Sequence, residues 1–171
     1  MLSDDIASLE ETGGKFHINP GYPRVCLWPD SVEKLLGSAE ALPQLTPAWE
    51  QTYLPLDGVR AKFAGKKLPL GLVYLFGARS GADSAPLIEA MRPGAALLEL
   101  VQNTYMNWLL DRDRRAVEFD VLASMLEQVP VRRIVAHEDS RKIGALCELI
   151  MSDAQNILSR QASALAPSDS K

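Results

Sequence analysis

Short apolar runs broken by glycine and proline fill the first half of the chain, and longer stretches of helical period fill the second. Residues 15–18 and 24–28 read as two strands. Asn19-Pro20-Gly21-Tyr22-Pro23 between them is a turn, with fixed-φ residues on both sides of a glycine. Pro29-Asp30-Ser31 predicts a helix start, with Asp30 or Ser31 as N-cap and an end near Leu36. From Gly37 to about Asp57, the prolines 43, 47 and 55 predict an irregular surface segment anchored by Trp49 and Tyr53. Residues 68–76 form an apolar run and a strand. Residues 77–84 form a loop, and 85–91 a returning strand that would close a hairpin.

The second half changes period. Pro93-Gly94 opens a helix expected to reach about Leu110, with Leu97, Leu98, Val101, Tyr105, Trp108 and Leu109 on its apolar side. A second helix over 112–128 carries Phe119, Leu122, Ala123 and Leu126 on one face, and Pro130 stops it. Residues 131–136 read as a strand on which Arg132 and Arg133 must point to opposite faces. Glu138-Asp139-Ser140 leads into a final helix with Ile143, Leu146, Cys147, Ile150, Ala154 and Ile157 on one face. The order predicts a single α+β body over 1–158 and a disordered Ser- and Ala-rich tail over 159–171.

Composition changes this picture little. The 171 residues suit one domain, and 47% hydrophobic with 23% charged residues is ordinary globular usage. A net charge of −4 argues against a nucleic-acid binder. Arg112, Arg114 and Arg115 alternate with Asp111, Asp113 and Glu118, the pattern of a solvated helix face. Cys26 and Cys147 lie far apart in apolar contexts and read as reduced buried thiols, while His17 and His137 stand apart from any metal-ligand spacing. Trp28, Tyr105, Trp108 and Phe119 are expected in the core, and Tyr22 at the surface. No run approaches about 18 consecutive apolar residues and no leader pattern opens the chain, so no membrane contact and a cytoplasmic location are expected.

The residues with the most chemistry are the adjacent carboxylates Asp4 and Asp5. Such a pair can hold a metal ion or accept a proton, and also suits a polar loop or a helix cap. A phosphate cradle of the form Gly-x-x-x-x-Gly-Lys-Ser/Thr is absent: Gly14-Lys15 is followed by Phe16 and Gly65-Lys66 by Lys67. Gly77-Ala78-Arg79-Ser80-Gly81 has enough glycine for an anion nest, but a hairpin turn explains it more simply.

Ser3-Asp4-Asp5, Pro20-Gly21-Tyr22-Pro23, Leu27-Trp28-Pro29-Asp30-Ser31, Pro69-Leu70, Asn103-Thr104-Tyr105 and Val129-Pro130-Val131 together resemble the HPr kinase/phosphorylase-like serine kinases. Those kinases are a branch of the phosphoenolpyruvate-carboxykinase-like P-loop fold. The resemblance implies the C-terminal portion of that fold, a mixed sheet with three C-terminal helices. It also implies ATP-dependent phosphoryl transfer to a serine hydroxyl of a protein or peptide, with magnesium and ATP as cofactors. Asp4 and Asp5 match the family's catalytic pair, with Asp5 also at the metal; either could be the base. Because the family's phosphate loop precedes that pair, the chain is expected to be a truncated kinase or one half of a split site completed by an upstream segment. The alternative is a non-catalytic remnant serving as a binding or regulatory module. Homo-oligomerisation fits either expectation. The chain departs from the family at Met106, where relatives often carry a basic residue. It also lacks the Gly-rich signature after the Asp pair, so HPr itself is not the implied substrate.

Overall fold

Two glycines set the first hairpin. Gly13 and Gly14 both take positive φ, 62° and 69°, the backbone of a two-residue turn whose twist matches the flanking strands. Strand β1 (Ser8–Thr12) therefore pairs antiparallel with β2 (Lys15–Asn19) in full register, from Ser8 opposite Asn19 to Thr12 opposite Lys15. The computed structural model describes residues 1–37, 42–58 and 61–165 and divides them into two compact units, Met1–Leu70 and Gly71 onward. Each unit has sheets of its own.

In the first unit β5 (Leu68–Pro69) joins the free edge of β2, giving the order β1-β2-β5. Strand β3 (Arg24–Leu27) pairs antiparallel with β4 (Thr52–Pro55) in a separate ribbon. The segment expected to be irregular thus contains a strand; its residues 38–41 lie outside the described residues. Helix α1 (Pro29–Leu36) follows β3 directly. Its N-cap is Trp28 rather than Asp30 or Ser31, because Pro29 has the φ of a first helical residue and needs no N–H partner there. Among the described residues, Phe16, Val32 and Leu56 are the buried apolar ones of this unit.

The second unit is built on a three-stranded mixed sheet of order β6-β8-β7. Strand β6 (Val73–Phe76) runs parallel to β8 (Val131–Val135), and β7 (Leu87–Ala90) runs antiparallel to it. The expected hairpin is corrected here. The ten residues between β6 and β7 do not form a tight turn, and both strands pair with β8 instead of with each other. The apolar run 68–76 is also split: its start belongs to β5 and its end to β6.

Three helices complete this unit: α2 (Pro93–Gln102), α3 (Arg112–Leu126) and α4 (Ile143–Leu165). Helix α2 ends earlier than its period suggests, at Asn103, where the chain turns through Met106 in the left-handed region and a short 3-10 segment, Asn107–Leu109. Asp111 caps α3 by accepting the Arg114 amide at 2.9 Å. Helix α4 continues through Leu165, so 159–165 is helical where a tail is expected, and 166–171 lies outside the described residues.

The two arginines of β8 tie the helices to opposite faces of the sheet. Arg133 pairs with Glu99 of α2. Arg132 pairs with Asp153 of α4 at 2.9 Å, and the Tyr74 hydroxyl of β6 donates to the same carboxylate at 2.8 Å. The sequence expectation that these arginines straddle the strand therefore holds. Ile134 and Met125, each 1% exposed, mark the centre of this core. The fold class is α+β, with sheets and four helices. No helix of the described residues is long and apolar enough to cross a membrane.

Candidate functional site: a carboxylate pair on the β3 strand

The opening residues are tethered at three places within the first unit. The terminal ammonium donates to Lys62 O at 2.7 Å, and Ala64 N donates to Met1 O at 2.7 Å. Gly21 N donates to Leu2 O at 2.9 Å. The Ser3 hydroxyl bonds Ile6 O and turns the chain around the two aspartates. A side chain at position 21 would collide with the Ser3 hydroxyl, so the glycine of the Pro20-Gly21-Tyr22-Pro23 turn is what allows residues 1–6 to lie this close.

Asp4 is anchored by its own carboxylate. Cys26 N donates to Asp4 Oδ2 at 2.6 Å. In the β3–β4 ribbon Cys26 stands opposite Tyr53. Their amides turn away from each other, since Tyr53 N donates to Pro43 O at 3.0 Å. Each outward amide would be unpaired at a ribbon edge without such a partner. An acidic side chain, supplied from 22 positions upstream, meets that need with a charge-assisted bond.

Asp5 differs from its neighbour: it is exposed and makes no hydrogen bond or ion pair among the described residues. Ligand atoms of Asp4, Asp5 and Cys26 all lie within 4.8 Å of one another. The Cys26 thiol is half-buried, and burial raises its pKa above the ordinary 9.0, assisted by the charge of Asp4 and a hydrogen bond to it. Arg24 opposes that shift. Near neutral pH the sulfur is therefore a protonated thiol and a weak nucleophile. The structure brings together the two aspartates singled out in the sequence and adds Cys26, which sequence spacing could not connect to them. The second thiol, Cys147, is exposed on α4 rather than buried.

The other candidate residues belong to the second unit. The Gly77–Gly81 loop follows β6 in the second unit, where Ser80 N donates to Ala136 O and Glu138 N to Ser80 O. Its glycines serve loop packing beside Arg133 and Glu138. Tyr105 and Trp108, expected in the core, are 62% and 70% exposed and stand at the turn after α2, while Trp28 and Phe119 are exposed as well. An open groove of about 480 Å³ lies beside Tyr105, Leu110 and Val117, where the charges of Asp113, Arg114 and Glu118 alternate in sign. No family model matches the chain, and no curated protein or solved structure matches it.

Proposed function

We propose that this chain supplies the carboxylate part of an HPr kinase-like phosphotransferase site, one that passes a phosphoryl group from ATP to a serine hydroxyl of a protein or peptide. The reading rests on one observation: Asp4 is pinned to β3 by the Cys26 amide while Asp5 beside it is left free. Phosphoryl transfer asks little covalent chemistry of a protein and depends on positioning and charge. Asp4 is then the positioning residue, holding the segment on the ribbon. Asp5 is the group that takes the serine proton.

Magnesium fits these residues. Two carboxylates are the donor set it uses alongside substrate phosphates, with water filling the rest of the shell. Bound there, the ion would neutralise charge on the transferring group. ATP does not fit in the same way. The 171 residues contain no Gly-x-x-x-x-Gly-Lys-Ser/Thr run, and no step is assigned to a nucleotide on this chain. The reading requires a phosphate cradle from another segment, on the same polypeptide or a second chain. A cytoplasmic location and a serine-bearing protein partner belong to the same proposal. The second reading, a binding or regulatory module without catalysis, is favoured by that missing cradle alone.

Joined to a cradle-bearing segment, the protein is expected to phosphorylate serine, and Asp5→Asn to slow transfer by about 10²–10⁴-fold, the range of a positioned general base. Full activity of Asp5→Asn, or no transfer with the cradle in place, would overturn the kinase reading in favour of the module.

A further inference from the structure

Arg24 lies on the same face of β3 as Cys26, two positions away. Its guanidinium carbon sits 5.1 Å from the ring centre of Tyr22 and 5.7 Å from that of Tyr53. Two local constraints hold this arrangement. Arg24 N donates to Tyr22 O at 2.8 Å, closing a tight turn at Pro23. Tyr53 stands across the ribbon from Cys26, diagonal to Arg24. Contact with both rings holds the guanidinium in place by cation–π attraction and leaves its N–H groups as donors.

Those N–H groups have no acceptor among the described residues, although Asp4 and Asp5 flank the same cysteine whose thiol feels the Arg24 charge. A half-buried arginine beside two carboxylates would ordinarily pair with one of them. Here the rings turn it away, so a positive fork and a negative pair stand side by side without cancelling. That is the charge layout an anion transferred next to a carboxylate requires: a fork to take its oxygens, and a base left free.

We propose that Arg24, held over Tyr22 and Tyr53, is an anion-binding residue that takes the oxygens of a phosphoryl group beside the Asp4–Asp5 pair. Its identification with a phosphoryl group, rather than another oxyanion, rests on the kinase reading. The group can reach it as free phosphate or as a phosphorylated serine side chain.

The test is the side-chain Nε–H resonance of Arg24 in the ¹⁵N-labelled full chain, titrated with inorganic phosphate and with N-acetyl-phosphoserine amide. The expected result is a saturable shift at Arg24 in the millimolar range. Arg24→Gln should lose phosphate binding. Arg24→Lys keeps the charge but not the fork and should bind about tenfold more weakly, the loss of one charge-assisted hydrogen bond. Tyr22→Leu, at a surface position, should weaken binding with the amide spectrum otherwise unchanged. Asp5→Asn should bind phosphate as well or better, since a like charge is gone. Tighter binding of the phosphoserine compound would identify the phosphorylated side chain as the source, and equal binding the phosphoryl group alone. No saturable shift at Arg24, or undiminished binding by Arg24→Lys, would overturn the inference. Phosphate binding at Arg24 without serine transfer in the cradle-joined protein would remove the kinase reading and leave the anion site standing. Transfer with unchanged kcat and KM in Arg24→Lys would do the reverse.

Discussion

Asp4 and Asp5 are adjacent and chemically identical, yet the fold gives them different work. Asp4 accepts the Cys26 amide, and its charge helps hold the Cys26 thiol protonated. Replacing Asp4 by Asn removes that charge, so the thiol pKa falls and the thiolate fraction at mildly alkaline pH rises. Alkylation of Cys26 by iodoacetamide, followed by mass spectrometry with exposed Cys147 as internal reference, should accelerate in Asp4→Asn. An unchanged ratio would show that the carboxylate does not control the sulfur. The same pair separates in stability. Asp4→Ala should cost about 1–3 kcal/mol by denaturant unfolding, because a ribbon amide loses its charged acceptor. Asp5→Ala should stay within about 0.5 kcal/mol, as expected for an exposed side chain without partners.

At the scale of elements, two devices can be probed. The β1–β2 turn needs positive φ at both Gly13 and Gly14, so each Gly→Ala change should cost roughly 1–2 kcal/mol by thermal or chemical unfolding. Lys67, just ahead of β5, bonds Glu10 of β1 at 2.9 Å and, with Thr12, holds the Glu10 carboxyl down at about 2 against an ordinary 4.5. A depressed carboxyl favours the folded state above the unfolded value. That contribution is present above pH 4.5 and disappears as pH falls toward 2. Lys67→Met should therefore flatten the acid limb of the stability profile in that window. On β6, burial and Asp153 of α4 push the Tyr74 hydroxyl up to about 12. A raised phenol stabilises the fold fully below pH 10 and less as pH rises toward 12, so Tyr74→Phe should reduce the alkaline loss of stability.

At the scale of the whole molecule, the two units differ in what they bury. Among the described residues, Phe16, Val32 and Leu56 are the buried apolar side chains of the first, whereas Leu122, Met125, Val129, Val131 and Ile134 are among those of the second. Hydrogen exchange should be slowest at β8 and the middle of α3 and fastest in the β3–β4 ribbon, because opening free energy follows buried contacts. Uniform protection across both units would contradict that division. The phosphate cradle is missing from the sequence as a whole, so calorimetry of the 171-residue chain with Mg-ATP should find no binding tighter than millimolar, about −4 kcal/mol. Micromolar binding would mean that a nucleotide site exists here in another form.

Local chemistry alone was enough to read several elements. Pro29 starts α1, Pro130 ends the helical run, and alternation across β8 sends Arg132 and Arg133 to opposite faces. The Gly13-Gly14 pair was an equally local turn signal that reading it as a failed phosphate loop concealed. The Asp4–Asp5 pair was visible as a candidate, but not the division of labour within it. Strand partners, by contrast, depend on which edge is free once the chain has folded. This is why β6 and β7 both pair with β8, and why one apolar run is shared between β5 and β6. Helix faces rotated for the same reason. On α4 the inward stripe includes Asp153, because Arg132 and Tyr74 await it, while Ile143 and Cys147 face outward. Period and capping act over a few residues and are written in the chain. The meeting of Asp4 with Cys26, and of Arg24 with Tyr53, spans more than twenty positions and exists only once the ribbon has formed.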